Sequence, residues 1–191
     1  MNTLTESIDL NGKLLIAMPG MSDPRFVSSV VFMCAYSDEG AMGLIVNKPA
    51  DELQINDLLT QLEIPKGNGS RDIRVHFGGP VEVGRGFVLH SADYDGGDAT
   101  MDVDDQFGMT ATKDVLEALA NGTGPDVAML MLGYAGWEPG QLENEIKANG
   151  WLVADASHEI VFGADSSTMW VAALKTLGVD PMMLSATAGR A

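Results

Sequence analysis

A chain of 191 residues with 46% hydrophobic side chains is the size of one domain with a proper core. Its formal net charge of −16, from 27 acidic and 11 basic residues, opposes nucleic acid and anionic membranes, which both call for clustered Lys and Arg. One cysteine, Cys34, excludes an intrachain disulfide and a four-cysteine zinc site and points to a reducing, cytoplasmic setting.

The chain opens on MNTLTESIDL, a polar and acidic stretch unlike a signal peptide, so residues 1–11 are expected to be a loose leading segment. No later apolar run approaches the ~20 residues that span a bilayer. Lys13 to Met18 reads as a strand stopped by Pro19 and Gly20. Asp23-Pro24 is helix-start chemistry: the carboxylate accepts free N–H groups, and Pro24 has no N–H to leave unpaired. Val30 to Ala35 and Met42 to Val46 flank the turn Ser37-Asp38-Glu39-Gly40, which predicts a hairpin. Pro49 should end its second strand.

Ile55, Leu58, Leu59 and Leu62 fall at helical spacing. Ile73 to Phe77 predicts a strand, Gly78-Gly79-Pro80 a sharp turn, and Phe87 to Leu89 another strand ending at His90. Ser91 to Asp105 holds six aspartates. It fails as a calcium loop, because Gly97 stands at a ligand position, Asp98 at the obligatory glycine and Asp104 at the closing Glu, so a solvated loop is the expectation. Phe107 to Ala111 predicts a strand, and Thr112 caps a helix carrying Val115, Leu116 and Leu119. Val127 to Leu132 is a wholly apolar, central strand. Glu138-Pro139 opens a helix that Gly150 ends, Trp151 to Ala154 and Ile160 to Phe162 read as strands, and Asp165 or Ser166 caps a last helix through Leu177. The tail after it is apolar enough to pack back on the body. Strands and helices mix without regular alternation, which favours a mixed sheet with helices around it.

Four segments in order, LLIAMPGMSDPRF with SVVFMC, GAMGLIVNKP, GGPV with RGFVLH, and GYAGWEPGQLENEI with NGW, resemble the YqgE/AlgH family, also called UPF0301 or DUF179. The likeness runs from about Gly12 to the C-terminus. It implies a bacterial protein with a single α+β domain spanning 1–191: a bifurcated mixed β-sheet, partly barrel-like, surrounded by helices. For activity it implies little. The family is uncharacterised, and the AlgH name attaches to a proposed role in regulating alginate-gene transcription. Similar proteins carry Cys-x-His where this chain has Cys34-Ala35-Tyr36, so a mechanism built on that imidazole lacks its residue here.

No residue set spells out a catalytic constellation. Cys34, in an apolar strand with no neighbouring His, reads as a structural thiol. His76, His90 and His158 lack metal-ligand spacing, and Gly78, Gly79, Gly84 and Gly86 are followed by no G-K-[ST], so neither a metal nor another cofactor is expected. The one polar cleft the strand ends suggest would gather Asn47, Lys48, Arg85 and His90, with Trp137 and Gln141 at the start of the following helix as further candidates. Two functions follow. The first is a cytoplasmic, non-enzymatic regulatory or interaction protein with a protein partner, without direct nucleic-acid or membrane contact. The alternative is a small-molecule-binding protein or enzyme using the cleft around Asn47, Arg85 and His90.

Overall fold

A computed structural model describes residues 8–67, 72–111 and 113–184. Among them nine strands join in one sheet: β1 (Lys13–Ala17), β2 (Val30–Ser37), β3 (Gly40–Ile45), β4 (Arg74–Phe77), β5 (Val81–Ser91), β6 (Thr100–Asp102), β7 (Phe107–Thr110), β8 (Ala128–Trp137) and β9 (Trp151–Asp155). The order is β6-β7-β5-β8-β3-β2-β1-β9, antiparallel throughout, with β4 added in parallel to β8. The helices are α1 (Ile55–Gln61), α2 (Lys113–Ala120), α3 (Gln141–Lys147) and α4 (Met169–Thr176). Among the described residues no helix is long and apolar enough to cross a membrane.

The sheet forks at β8. The C-terminal half of β8 pairs with β3, Gly43 opposite Ala135. Its N-terminal half pairs with β4 instead, Phe77 opposite Leu132. At the branch, Gly78 donates its N–H to Leu132 O while its own carbonyl accepts from Ile45 N. A Cβ on Gly78 would lie 2.3 Å from Gly133 O, and one on Gly79 would lie 2.1 Å from the carbonyl carbon of Tyr134. Backbone meets backbone at this point, so only glycine fits. The expected sharp turn at Gly78-Gly79-Pro80 is the crotch of the fork. The two branches make the sheet bifurcated and mixed, in an α+β fold.

The sheet also curls. The rings of Phe32 on β2 and Phe107 on β7 stand 4.7 Å apart although three strands lie between theirs in the sheet. Leu14, Phe32, Leu44, Leu89 and Met131 fill the concave side, with α4 against it. The convex side is covered in two places. One cluster joins Ile55, Val88, Leu116 and Leu130 under α1 and α2; the other joins Leu15, Val31, Trp137, Leu142 and Trp151 under α3. Because both faces are covered, the central strands read as continuous apolar runs.

Two bulges decide which face key side chains reach. Met129 and Met131 face the concave core, but beyond Gly133 (φ +74°) it is Tyr134 that packs there, while Ala135 and Trp137 turn outward. On β2 the register shifts between Met33 and Ala35. Cys34 therefore stays inside, and Tyr36, which a regular strand would place on the same face, points out.

The structure revises several expectations. The strand expected to end at Leu132 runs on to Trp137, because Gly133 (φ +74°) turns the backbone within the strand and Gly136 pairs regularly with Met42 on β3. The strand expected from Phe87 begins at Val81. Ile160 to Phe162 lies in a single π-helical turn, Glu159–Gly163, and not in a strand. The last helix starts at Met169 after Thr168, without a side-chain cap, and Ser166 instead approaches His76 Nε2 at 3.3 Å. Leu10 is buried and Gly12 donates to Met33 O, so the end of the leading segment is tied down. The expected Thr112 cap, residues 1–7, residues 68–71 of the loop before β4 and residues 185–191 of the tail lie outside the described residues.

Candidate functional site

The six candidates fall into four places. Asn47 closes a turn: its Oδ1 accepts from Val30 N at 2.9 Å and its Nδ2 donates to Ser28 O at 2.9 Å. Lys48 donates from Nζ to Arg25 O. Arg85 is exposed on β5, pairs with Glu82 at 3.6 Å and lies 5.0 Å over the Phe87 ring. It borders a hollow floored by Phe87, Tyr134 and Met109.

His90 is wholly buried. Its Nδ1 lies 2.8 Å from Ser91 O, and a carbonyl only accepts, so Nδ1 carries the proton. Nε2, 2.8 Å from Thr110 Oγ1, must then accept from that hydroxyl. Thr110 in turn accepts from Thr100, 2.8 Å away, and Thr100 Oγ1 accepts from Gly96 N. Every side-chain polar atom of this relay, from His90 through Thr110 to Thr100, has a partner. Burial pushes the imidazole below its ordinary range. Gly108 lets the ring lie flat on the neighbouring strand, since a Cβ there would sit 2.7 Å from His90 Cε1. His90 and Asn47 are each consumed by structural bonds, and the hydrogen bonds and ion pair of Asn47, Arg85 and His90 go to separate partners, not to one another.

Trp137 and Gln141 do share a site. They line a cleft of about 410 Å³ together with Met21, Asp23, Phe26, Pro80, Glu145 and Trp151. Three of the sequence's distinctive segments converge there: PGMSDPRF, GGPV, and GWEPGQLENEI with NGW. At its centre is Glu145, on the face of α3 turned to the cleft. Its Oε2 accepts from both indoles, Trp137 Nε1 at 2.9 Å and Trp151 Nε1 at 2.8 Å. Its Oε1 accepts from Gln141 Nε2 at 3.0 Å, one helical turn back. Gln141 Oε1 meanwhile takes the N–H of Glu138 at 3.0 Å. The rings of Trp137 and Trp151 cross at 79°, and Phe26 stands edge-on to Trp151 at 5.7 Å.

The opposite wall is the single 3₁₀ turn Pro24–Phe26. Asp23 caps it through Arg25 N at 3.0 Å and grips the Arg25 guanidinium at 2.7 Å. That guanidinium holds the Asp23 carboxyl below the usual carboxylate range. Asn47 and Lys48 brace this turn from behind, through Ser28 and Arg25. The Met18–Met21 loop is tied to the end of α3 where Met18 N donates to Gly150 O. So Asn47 and Lys48 shape the cleft without lining it. Phe26, Glu145 and Trp151 went unassigned in the sequence reading. The Gln141–Glu145 spacing on α3 was legible; the meeting of Phe26 with Trp151, far apart in the chain, was not.

Two remaining groups are settled by burial. The Cys34 thiol is enclosed and burial pushes it up to about 12, so it is not a nucleophile at neutral pH. Tyr36, turned outward by the bulge, donates its hydroxyl to Glu143 Oε1 at 2.6 Å and so ties β2 to α3. That bond, with burial second, pushes the phenol up to about 12. In the acidic segment, Asp93, Asp95 and Asp104 accept backbone N–H bonds from Asp126, Gly97 and Phe107. Among the described residues no group of three His, Cys, Asp or Glu side chains is placed to hold a metal ion.

A forked, curled sheet with an aromatic cleft at one end defines a single-domain α+β protein. The sequence profile of DUF179, described as AlgH-like, matches residues 14–182. A UPF0301 protein of Cereibacter sphaeroides is 57% identical over 184 residues, covering 96% of this chain and all of the relative. Another, from Ruegeria pomeroyi, is 59% identical over 185 residues with 96% and 100% coverage. The chain belongs to the AlgH-like (UPF0301) family. Among solved structures, the AlgH protein of Pseudomonas aeruginosa is 38% identical, with a TM-score of 0.78 and full coverage of both chains. A Corynebacterium diphtheriae protein at 21% identity and TM-score 0.70, covering 91% of this chain and 88% of its own, shares the fold.

Proposed function

We propose that this protein is a cytoplasmic, non-enzymatic regulatory or interaction module that receives a partner protein in the cleft between the Pro24–Phe26 turn and α3. The observation that carries this reading is the convergence of three separate chain segments on one open cleft with aromatic walls. Aromatic side chains beside a few placed polar groups are what protein docking sites are made of. The side chains best suited to covalent or acid–base chemistry lie elsewhere: Cys34 and His90 are buried, and both His90 nitrogens are occupied. The net charge of −16 disfavours direct nucleic-acid binding and favours a basic partner.

Quantitative affinity capture with wild type, Ala148→Arg and Lys175→Glu tests this. Ala148 is exposed on the cleft rim, and Lys175 is exposed on α4. A partner held in the cleft is retained by wild type and by Lys175→Glu and lost by Ala148→Arg. Equal retention by all three contradicts the reading. The small-molecule alternative is separated by thermal shift against a metabolite panel, because a true ligand raises the melting temperature by mass action.

A further inference from the structure

Glu145 is surrounded by donors but not neutralised. Both indole N–H groups and the Gln141 amide that bond it are neutral. Among the described residues no Lys, Arg or His forms an ion pair with it; the four ion pairs lie at Lys13, Arg25, Arg85 and Lys113. The nearest guanidinium in the cleft, Arg25, is committed to Asp23 through three contacts of 2.7–3.2 Å. Asp23 and Arg25 cancel, which leaves the cleft with one unbalanced negative charge beside Phe26 and two tryptophans. A carboxylate offers about four lone-pair directions, and three are used, so Oε1 retains room for one more donor.

We propose that the cleft recognises an arginine side chain presented by a basic segment of the partner. This rests on the docking reading above and adds the chemistry of the recognised group. The apolar stem of an arginine fits along Met21 and Phe26, and the planar guanidinium completes the Glu145 carboxylate while stacking on an aromatic face. Arg25 already makes this type of contact at the rim, its guanidinium 5.9 Å over the Phe26 ring and paired with a carboxylate. A volume of about 410 Å³ holds one such side chain with part of its flanking backbone. The strongly acidic chain steers a basic segment toward it.

The test follows the three indole N–H signals by NMR while the protein is titrated with acetyl-Gly-Arg-Gly-amide, or with the same peptide carrying neutral citrulline. Trp137 and Trp151 bond Glu145, whereas Trp170 donates to Ala17 O and serves as internal control. The arginine peptide should shift the Trp137 and Trp151 signals saturably and leave Trp170 in place. The citrulline peptide should bind at least tenfold more weakly. Glu145→Gln, which keeps an acceptor for both indoles, should weaken the arginine peptide at least tenfold with the melting temperature nearly unchanged. Equal binding of the two peptides, or of the arginine peptide to wild type and Glu145→Gln, overturns the cation assignment and leaves the docking cleft standing. No movement of either indole with the arginine peptide also overturns it. Loss of the docking reading itself shows only in the capture experiment with Ala148→Arg.

Discussion

His90 and Glu145 each sit at the centre of a polar cluster in which every hydrogen-bonding atom has a partner, yet the two clusters serve opposite ends. Around His90 the chain of bonds begins on a backbone amide, Gly96 N, and ends on a backbone carbonyl, Ser91 O. It carries no net charge, and its centre, His90 with Thr110, is sealed from water. Around Glu145 the donors are neutral side chains, the centre is a charged acceptor, and the cluster opens on a cleft. A closed neutral network fixes which strands lie together; an open charged one retains an unmet interaction. Bond satisfaction alone does not distinguish a structural cluster from a binding one, whereas net charge and solvent access do.

The largest effect should come from destroying the scaffold common to both. Gly79→Ala drives a Cβ into the Tyr134 backbone at the fork, and we expect a loss of more than about 3 kcal/mol, with both clusters lost together in urea unfolding. His90→Ala should cost about 3 kcal/mol, from the cavity and from the orphaned Thr110 hydroxyl. If the clusters are independent, the Trp137 and Trp151 indole signals stay where they are in this variant.

The buried imidazoles give the fold a pH signature of their own, above the range in which the Asp23 carboxylate is protonated. His76 is held at about 4, chiefly by burial, with the Arg74 charge second, and burial lowers His90 as well. Protons bind these side chains in the unfolded chain near pH 6.5 but not in the native one until lower pH. Acid therefore favours unfolding: stability is complete above about pH 7 and falls as the pH drops toward 4. His76 alone should account for about 2 kcal/mol between pH 7 and pH 5, so a His76→Gln variant should show a flatter dependence in denaturant titrations over that range. The smallest effect should be that of Glu145→Gln, under about 1 kcal/mol, because the cluster it alters is built for charge and not for stability.

The difference between the regions also explains what the sequence revealed. Strand runs, the hairpin at Ser37–Gly40 and the 3₁₀ start at Asp23-Pro24 are local and were legible from turn chemistry and apolar runs. The fork was not, since Gly78-Gly79 and Gly133 reveal their purpose only when two distant backbones meet. The same limit applied to the site. Asn47, Arg85 and His90 sit near expected strand ends and suggested a shared cleft, but each is bonded to partners of its own, and Arg85 falls in the middle of β5. Trp137 and Gln141 were legible as candidates because they lie where a strand passes into a helix. Their partner Glu145 sits one turn further on, and Phe26 and Trp151 arrive from elsewhere in the chain.

The claim that the open cluster, and not the sealed one, is where this protein meets its partner is tested most directly by photo-crosslinking in cells. A photoreactive side chain at Ala148, on the cleft rim, is compared with one at exposed Leu177, just beyond α4. A single protein adduct should form from position 148, fade in a Glu145→Gln background, and be absent from position 177. An adduct that forms equally from both positions, or that persists unchanged in Glu145→Gln, would contradict it.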